Sequence, residues 1–140
     1  MKMRLWQAVA AAGAALVVMS GPLQASEQKV RITGIYSDLY YNRDDGDLGG
    51  TELFIVEVGE LGYAAFIQHW EGGTTMPVVV PVEVNGNKVK FSVAAPSLGE
   101  GQYEGRITRN AFDGSWRHPL ASGGFAEDPI HLKRKKSFWQ

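Results

Sequence analysis

Cysteine is absent from this sequence of 140 residues. No disulfide can therefore cross-link the fold, although small exported domains often depend on such bonds. The absence also excludes a cysteine nucleophile and leaves no thiol to carry a lipid anchor. We expect the fold to be held together by its apolar core alone.

A hydrophobic run long enough to cross a bilayer is also missing. The apolar stretch from Ala8 to Met19 is interrupted by Gly13, and it is shorter than the roughly 20 residues that a membrane-spanning helix needs. Lys2 and Arg4 precede it, and small and polar residues follow it up to Ala25. This order is typical of a secretory signal peptide. We predict a signal peptide over residues 1–25 and one domain over residues 26–140, periplasmic or secreted, with no integral membrane segment after cleavage.

The chain has no excess of positive charge. Its 14 Lys and Arg residues fall to 12 without Lys2 and Arg4, against 15 Asp and Glu. Such a balance makes nucleic acid a poor partner. The charges are unevenly distributed, because acidic residues are concentrated between Asp38 and Glu60 while residues 133–136 are all basic.

No stretch after Ala25 repeats its apolar residues at the helical period. Short runs rich in Val, Ile, Tyr and Phe recur instead, separated by Gly, Asn, Asp or Pro, which indicates an all-β fold. Short connections predict that consecutive strands pair in an antiparallel up-and-down meander. Eight such strands with one apolar face can form a sandwich or a closed barrel, and the barrel is favoured because closure removes exposed edges. The predicted strands cover residues 30–42, 51–59, 62–70, 77–84, 88–94, 102–108, 112–117 and 130–136.

Turn residues mark the predicted hairpins. Asn85-Gly86-Asn87 is the clearest, because Asn and Gly tolerate the positive φ of a tight turn. Residues 71–74, 99–101 and 122–124 are the other predicted turns. Gly34, Gly105 and Gly114 fall inside predicted strands, where glycine usually marks a bend or a close approach.

Alternation of apolar and polar residues predicts which side chains face the core. It is clear over residues 88–93, where Val89, Phe91 and Val93 share one face. It is ambiguous in residues 53–56 and 66–70, where both faces carry apolar residues.

Three segments carry a resemblance to known barrels. Residues 103–107 (YEGRI), residues 112–116 (FDGSW) and the preceding residues 85–91 (NGNKVKF) resemble the lipocalin-like and avidin-like meander barrels. Together with residues 46–53 and 132–139, they are most similar to an uncharacterised group of small exported bacterial proteins. The resemblance implies a barrel architecture over nearly the whole mature chain, without a known ligand.

Catalytic and metal motifs are missing. There is no Gly-x-Ser-x-Gly elbow and no His placed to build a triad, so we predict that the protein is not an enzyme. His69, His118 and His131 match no zinc spacing, and we expect no cofactor. Residues 42–52 do not match an EF-hand loop, because Tyr41 and Arg43 stand where carboxylates belong. A looser oxygen site and a solvated polar turn both remain consistent with this segment.

Five aromatic residues are the candidate ligand-binding set. Aromatic walls with polar tips often hold small apolar ligands, and the same rings would equally serve as a filled core. The predicted lining residues are Tyr36, Trp70, Phe91, Tyr103 and Trp116.

The predicted function is that of an exported, monomeric, non-catalytic binding or accessory module, with a small apolar ligand or a protein as its partner. The alternative is a protein-interaction or envelope-surface module that uses the acidic first hairpin or the basic C-terminal tail. In that tail, Phe138 and Trp139 would either touch a membrane surface or plug one end of the barrel.

Overall fold

The structure is a computed structural model that describes residues 29–73 and 75–136. The predicted signal peptide, Thr74, Phe138 and Trp139 lie outside the described residues. Within them the chain forms strands joined by short turns and a single 3₁₀ turn at Gly59–Leu61. The strands are β1 (Gly34–Ser37), β2 (Tyr40–Tyr41), β3 (Leu48–Glu57), β4 (Tyr63–Glu71), β5 (Val78–Asn85), β6 (Lys88–Ala95), β7 (Gly99–Ile107), β8 (Ala111–Pro119) and β9 (Phe125–Lys135).

The strands pair antiparallel in chain order from β3 to β9. β1 closes the sheet, because it pairs with β3 on one side and with β9 on the other. β2 continues β1 along the edge of β3, so these two short strands occupy one position in the barrel. The predicted all-β fold with an eight-stranded antiparallel up-and-down barrel is therefore confirmed.

The first predicted strand is interrupted at Asp38. The Asp38 carboxylate accepts a hydrogen bond of 2.5 Å from the backbone N–H of Thr51 on β3. The backbone N–H of Asp38 still donates to the carbonyl of Thr51 over 3.2 Å, so a side chain replaces only one of the two ladder bonds at this point. Residues 30–42 accordingly form two short strands instead of the single one predicted.

The predicted turn at residues 99–101 is wrong, because β7 already begins at Gly99. The chain reverses directly before this segment, at Pro96–Leu98, where the N–H of Leu98 donates to the carbonyl of Ala95 over 3.1 Å. Gly101 lies inside the strand, where a Cβ atom would collide with the Trp116 ring. The turn predicted around Gly86 is confirmed, with two residues linking β5 to β6 and a φ of 63° at Gly86.

Burial settles the two ambiguous strands. Leu53 and Ile55 are fully buried, whereas Phe54 between them is 40% exposed. On β4, Ala65 and Ile67 are buried and pair with Ile55 and Leu53. The outer side of these strands carries its own apolar row, since Phe54 pairs with Phe66 and Phe66 pairs with Val79.

One apolar cluster occupies the barrel interior and includes members from every strand position. The buried members of this cluster are Ile32, Tyr36, Leu53, Ile55, Ala65, Ile67, Val80, Val82, Val89, Phe91, Val93, Tyr103, Ile107, Phe112 and Leu132.

The two ends of the barrel differ in chemistry. At the end where β9 finishes, the Arg134 guanidinium lies over the Tyr36 ring, 4.7 Å from its centroid. It also donates to the carbonyls of Arg31, Thr33 and Thr108. We call this the Arg134 end. The opposite end, which we call the Asp38 end, carries the turns at residues 38–47, 96–98 and 120–124.

None of the helical turns in residues 29–73 and 75–136 is long and apolar enough to cross a membrane.

Candidate functional site

Three of the predicted lining residues meet in one aromatic row. Phe91 on β6 pairs directly with Tyr103 on β7, and Tyr103 pairs with Trp116 on β8. The Phe91 and Tyr103 rings are stacked with centroids 4.9 Å apart. The Tyr103 and Trp116 centroids are 4.3 Å apart. We call these three residues the aromatic row.

The aromatic row runs from the core towards solvent. Phe91 and Tyr103 are buried, at 3% and 6% exposure, whereas Trp116 is half-buried and packs against the core from its margin. The space beneath the Trp116 ring exists because Gly101 has no side chain. Part of the Trp116 ring is therefore open to solvent at the margin of the core.

A histidine and a carboxylate continue the row towards the Asp38 end. The His118 ring stacks on Trp116, with centroids 6.1 Å apart. Nε2 of His118 lies 2.9 Å from Oδ2 of Asp128, and Asp128 pairs across the sheet with Trp116. Polar groups able to orient a ligand therefore border the exposed side of the row.

The Tyr103 hydroxyl is kept protonated by its surroundings. Desolvation by burial, together with the nearby Asp38 carboxylate, which disfavours a second negative charge, raises the pKa of Tyr103 to about 12. A protonated phenol can both donate and accept a hydrogen bond. Tyr103 is thus the polar tip within an otherwise apolar row.

Tyr36 lies apart from this row. It is fully buried, and its hydroxyl donates to the carbonyl of Ile32 over 2.6 Å. Burial raises the pKa of Tyr36 to about 12, although the charge of Arg134 opposes this shift. Its ring supports Arg134 at the Arg134 end, so the structure gives it a closing role.

Trp70 differs from its predicted position. On β4 it alternates with His69, and the buried residues of this strand share the His69 face. Trp70 therefore belongs to the outer face, where it borders a shallow cleft with Tyr40, Asp45 and Asp47. The sequence of residues 66–70 is compatible with both orientations, because apolar residues occupy both faces of the strand.

The inward neighbour of Trp70 is His69. Its Nδ1 lies 3.0 Å from the Thr51 hydroxyl on β3. Thr51 is itself buried. This pair forms a polar rim at the Asp38 end of β3 and β4.

Comparisons with known proteins return no match. Neither the family models, nor the curated proteins, nor the solved structures contain one. The likeness to lipocalin-like, avidin-like and exported bacterial barrels therefore remains a prediction. The structure itself establishes the antiparallel eight-stranded barrel.

Metal-binding side chains do not converge in the described part of the chain, which holds no group of three or more His, Asp or Glu suited to an ion. His69, His118 and His131 lie near different partners, namely Thr51, Asp128 and Asp113. In the acidic loop, the Asn42 and Asp45 side chains accept hydrogen bonds from the backbone N–H groups of Asp44 and Asp47. These bonds describe a self-contained polar turn.

Sequence reasoning missed the His118–Asp128 pair. The signal was present, because His118 stands two residues after Trp116 and so shares its face in a strand. Asp128 had no such signal, since β9 was predicted to begin only at Ile130 and the structure begins it at Phe125.

Proposed function

We propose that this protein is an exported, non-catalytic binding module that holds a small apolar molecule against the aromatic row. One observation carries the proposal: Trp116 is half-buried while the two rings behind it are buried and stacked. Export is supported by the signal-like residues 1–25, and a periplasmic or secreted location follows from it.

The row favours a flat, mainly apolar ligand. Stacked or tilted aromatic pairs contribute about 0.5–1.5 kcal/mol beyond the area that they bury. Because Tyr103, itself stacked on Phe91, already contacts the Trp116 ring, little side-chain entropy remains to be lost on binding. The Tyr103 hydroxyl and the Asp128 carboxylate supply a donor and an acceptor that would orient polar substituents.

The proposal is tested with the neutral fluorescent probe N-phenyl-1-naphthylamine. We expect its emission to rise on titration into the protein, with quenching of Trp fluorescence. Trp116→Leu should weaken probe binding by roughly threefold to tenfold, which corresponds to the loss of one aromatic stacking partner. The matched control is Trp70→Leu, because Trp70 lies on the outer face and outside the row.

Two outcomes would overturn the proposal. One is a probe emission that the protein leaves unchanged. The other is equal weakening by Trp116→Leu and Trp70→Leu when circular dichroism reports both variants folded.

A second candidate function is recognition of a basic protein segment by the first hairpin. Tyr40 and Tyr41 are 62% and 61% exposed, and Asp44, Asp45 and Asp47 follow them in the exposed loop. Exposed tyrosines beside carboxylates fit a cationic partner. Tyr is enriched at interface hot spots, and the negative charges of the carboxylates complement the positive charges of such a partner.

The probe for this second candidate is a decalysine peptide. We expect binding that Tyr40→Ser/Tyr41→Ser weakens and that Tyr63→Ser, outside this hairpin, leaves unchanged. Equal binding by the two variants would refute it.

A further inference from the structure

A groove of about 900 Å³ runs over the outer face of strands β6–β9. It lies on the opposite side of the sheet from the aromatic row, because its charged lining residues alternate with the buried ones along each strand. We call it the outer groove. Its charged lining residues are Lys88, Glu104, Arg106, Asp113, Arg117 and Glu127.

The three carboxylates of the outer groove all have partners. Glu104 lies 3.9 Å from the Lys90 ammonium, and Asp113 contacts Nδ1 of His131. Glu127 accepts a hydrogen bond of 2.6 Å from the Ser115 hydroxyl. Their acceptor capacity is thus partly used within the protein.

The three cations of the outer groove have no carboxylate partner among residues 29–73 and 75–136. Lys88 and Arg106 lie directly opposite each other on β6 and β7. Like charges at directly opposed positions of a sheet are destabilising. Asp113 pairs with Arg106 from the other side, yet its carboxylate is turned to His131. Two neighbouring cations are therefore held together without an anion between them.

The third cation stands at the far end of the outer groove beside an aromatic ring. Arg117 pairs with Gln102 on β7, four residues along the strand from Arg106, which corresponds to roughly 13 Å at the rise of a β-strand. Its guanidinium lies over the Phe125 ring, 4.4 Å from the centroid. This end presents a flat stacking surface with a positive charge.

We propose that the outer groove binds an elongated anionic ligand that carries carboxylate or phosphate groups. One anionic group sits between Lys88 and Arg106, where it relieves their mutual repulsion. The body of the ligand extends along β7 to Arg117 and Phe125, against which a ring can stack. Arginine is suited to both ends, because its planar fork binds carboxylate and phosphate bidentately and also stacks on rings.

The test is calorimetric titration of the full chain with two probes that separate the two chemistries, trigalacturonate for carboxylates and linear tripolyphosphate for phosphates. We expect at least one of them to bind, with an affinity that falls as salt rises. Lys88→Gln and Arg106→Gln should each weaken binding by about tenfold to a hundredfold, as expected for a lost charged hydrogen bond. Lys135→Gln is the matched control, because it removes the same charge from β9 outside the outer groove.

Arg117→Gln probes the length of the site. It should weaken the trimeric probe that binds, and it should leave binding of inorganic phosphate unchanged, because a single phosphate reaches only Lys88 and Arg106.

The proposal is overturned if neither trimer binds, or if neutral maltotriose binds as tightly as trigalacturonate. It is also overturned if Lys88→Gln, Arg106→Gln and Lys135→Gln behave alike. Binding of N-phenyl-1-naphthylamine should persist in all these variants, so failure at the outer groove is distinct from failure at the aromatic row.

Discussion

At the scale of single residues, Arg134 links several segments at one end of the barrel, and no pattern in the sequence predicts this role. Its guanidinium contacts the Tyr36 ring and the carbonyls of three residues from two separate segments. Gly34 makes this approach feasible, because a Cβ atom at that position would lie 2.7 Å from Nη1 of Arg134. In the sequence, Arg134 stands in a run of four basic residues. Nothing in this run distinguishes the inward-facing Arg134 from the exposed lysines on either side of it.

Replacement of Arg134 tests this role. We expect Arg134→Met to lower the free energy of unfolding by about 1–3 kcal/mol, because the cation–π contact and the charged hydrogen bonds are both lost. Urea denaturation measures the change. Lys135→Met, on the exposed face one residue later, should stay within about 0.5 kcal/mol of the parent protein. Equal effects of the two substitutions would show that Arg134 closes nothing.

The buried tyrosines predict a loss of stability in alkali. The pKa of Tyr36 and that of Tyr103 are raised from 10.0 to about 12 in the folded protein. Above pH 10 the unfolded chain releases these protons while the folded chain keeps them. Their contribution is therefore fully present below pH 10 and declines as pH rises to about 12.

Spectroscopic titration checks this expectation. Tyrosinate absorbance of the folded protein should show a late step near pH 12, and Tyr36→Phe/Tyr103→Phe should lack it. If the double variant retains the late step, the assignment of the raised pKa values to these residues is wrong.

At the scale of the strands, the interior of the second half was predictable and that of the first half was not. Val89, Phe91 and Val93 alternate with polar residues, so only one orientation buries them well. In β3 and β4, Phe54 and Phe66 compete with Leu53 and Ile67 for the core. The orientation of these strands depends on their pairing across the sheet, which places the small Ala65 beside Ile55. This pairing cannot be read from the sequence of either strand alone.

The paired glycines of β7 and β8 allow the two strands to approach each other closely. Gly105 and Gly114 lie directly opposite each other, and a Cβ atom on Gly114 would collide with the backbone of Glu104 and Gly105. We expect Gly114→Ala to destabilise the fold by about 1–3 kcal/mol, the usual cost of overpacking. Thermal melts measure it, with Gly73→Ala as control, because no atom lies within 4 Å of the added methyl position there. A neutral Gly114→Ala would mean that the two strands separate easily.

At the scale of the whole molecule, the sequence predicted the architecture and only part of the candidate site. Strand number, chain order and closure follow from apolar alternation and turn residues, which are local properties. The aromatic row follows from the same alternation. The position of Trp70, the His118–Asp128 pair and the outer groove depend on strand register, and no local pattern encodes it.

Closure of the barrel depends on three residue pairs between β1 and β9. Ile35 and Lys135 lie directly opposite each other there, at a Cα separation of roughly 4.5–5.5 Å that a disulfide can bridge. We expect the disulfide in oxidised Ile35→Cys/Lys135→Cys to raise the free energy of unfolding by about 2–4 kcal/mol, because the bond closes a loop of nearly the whole domain. Urea denaturation with and without reductant measures the gain. Identical midpoints would show that β1 and β9 do not pair as described.

The pairing of the first strand with the last also sets the time at which the protein can fold. When only the strands up to β8 have been synthesised, the sheet has two unpaired edges. The barrel closes only when β9 pairs with β1. Contacts that are so distant along the chain form slowly. A chain that ends before β9 therefore leaves the outer edges of β1 and β8 unpaired, and such edges are where a sheet pairs with another chain.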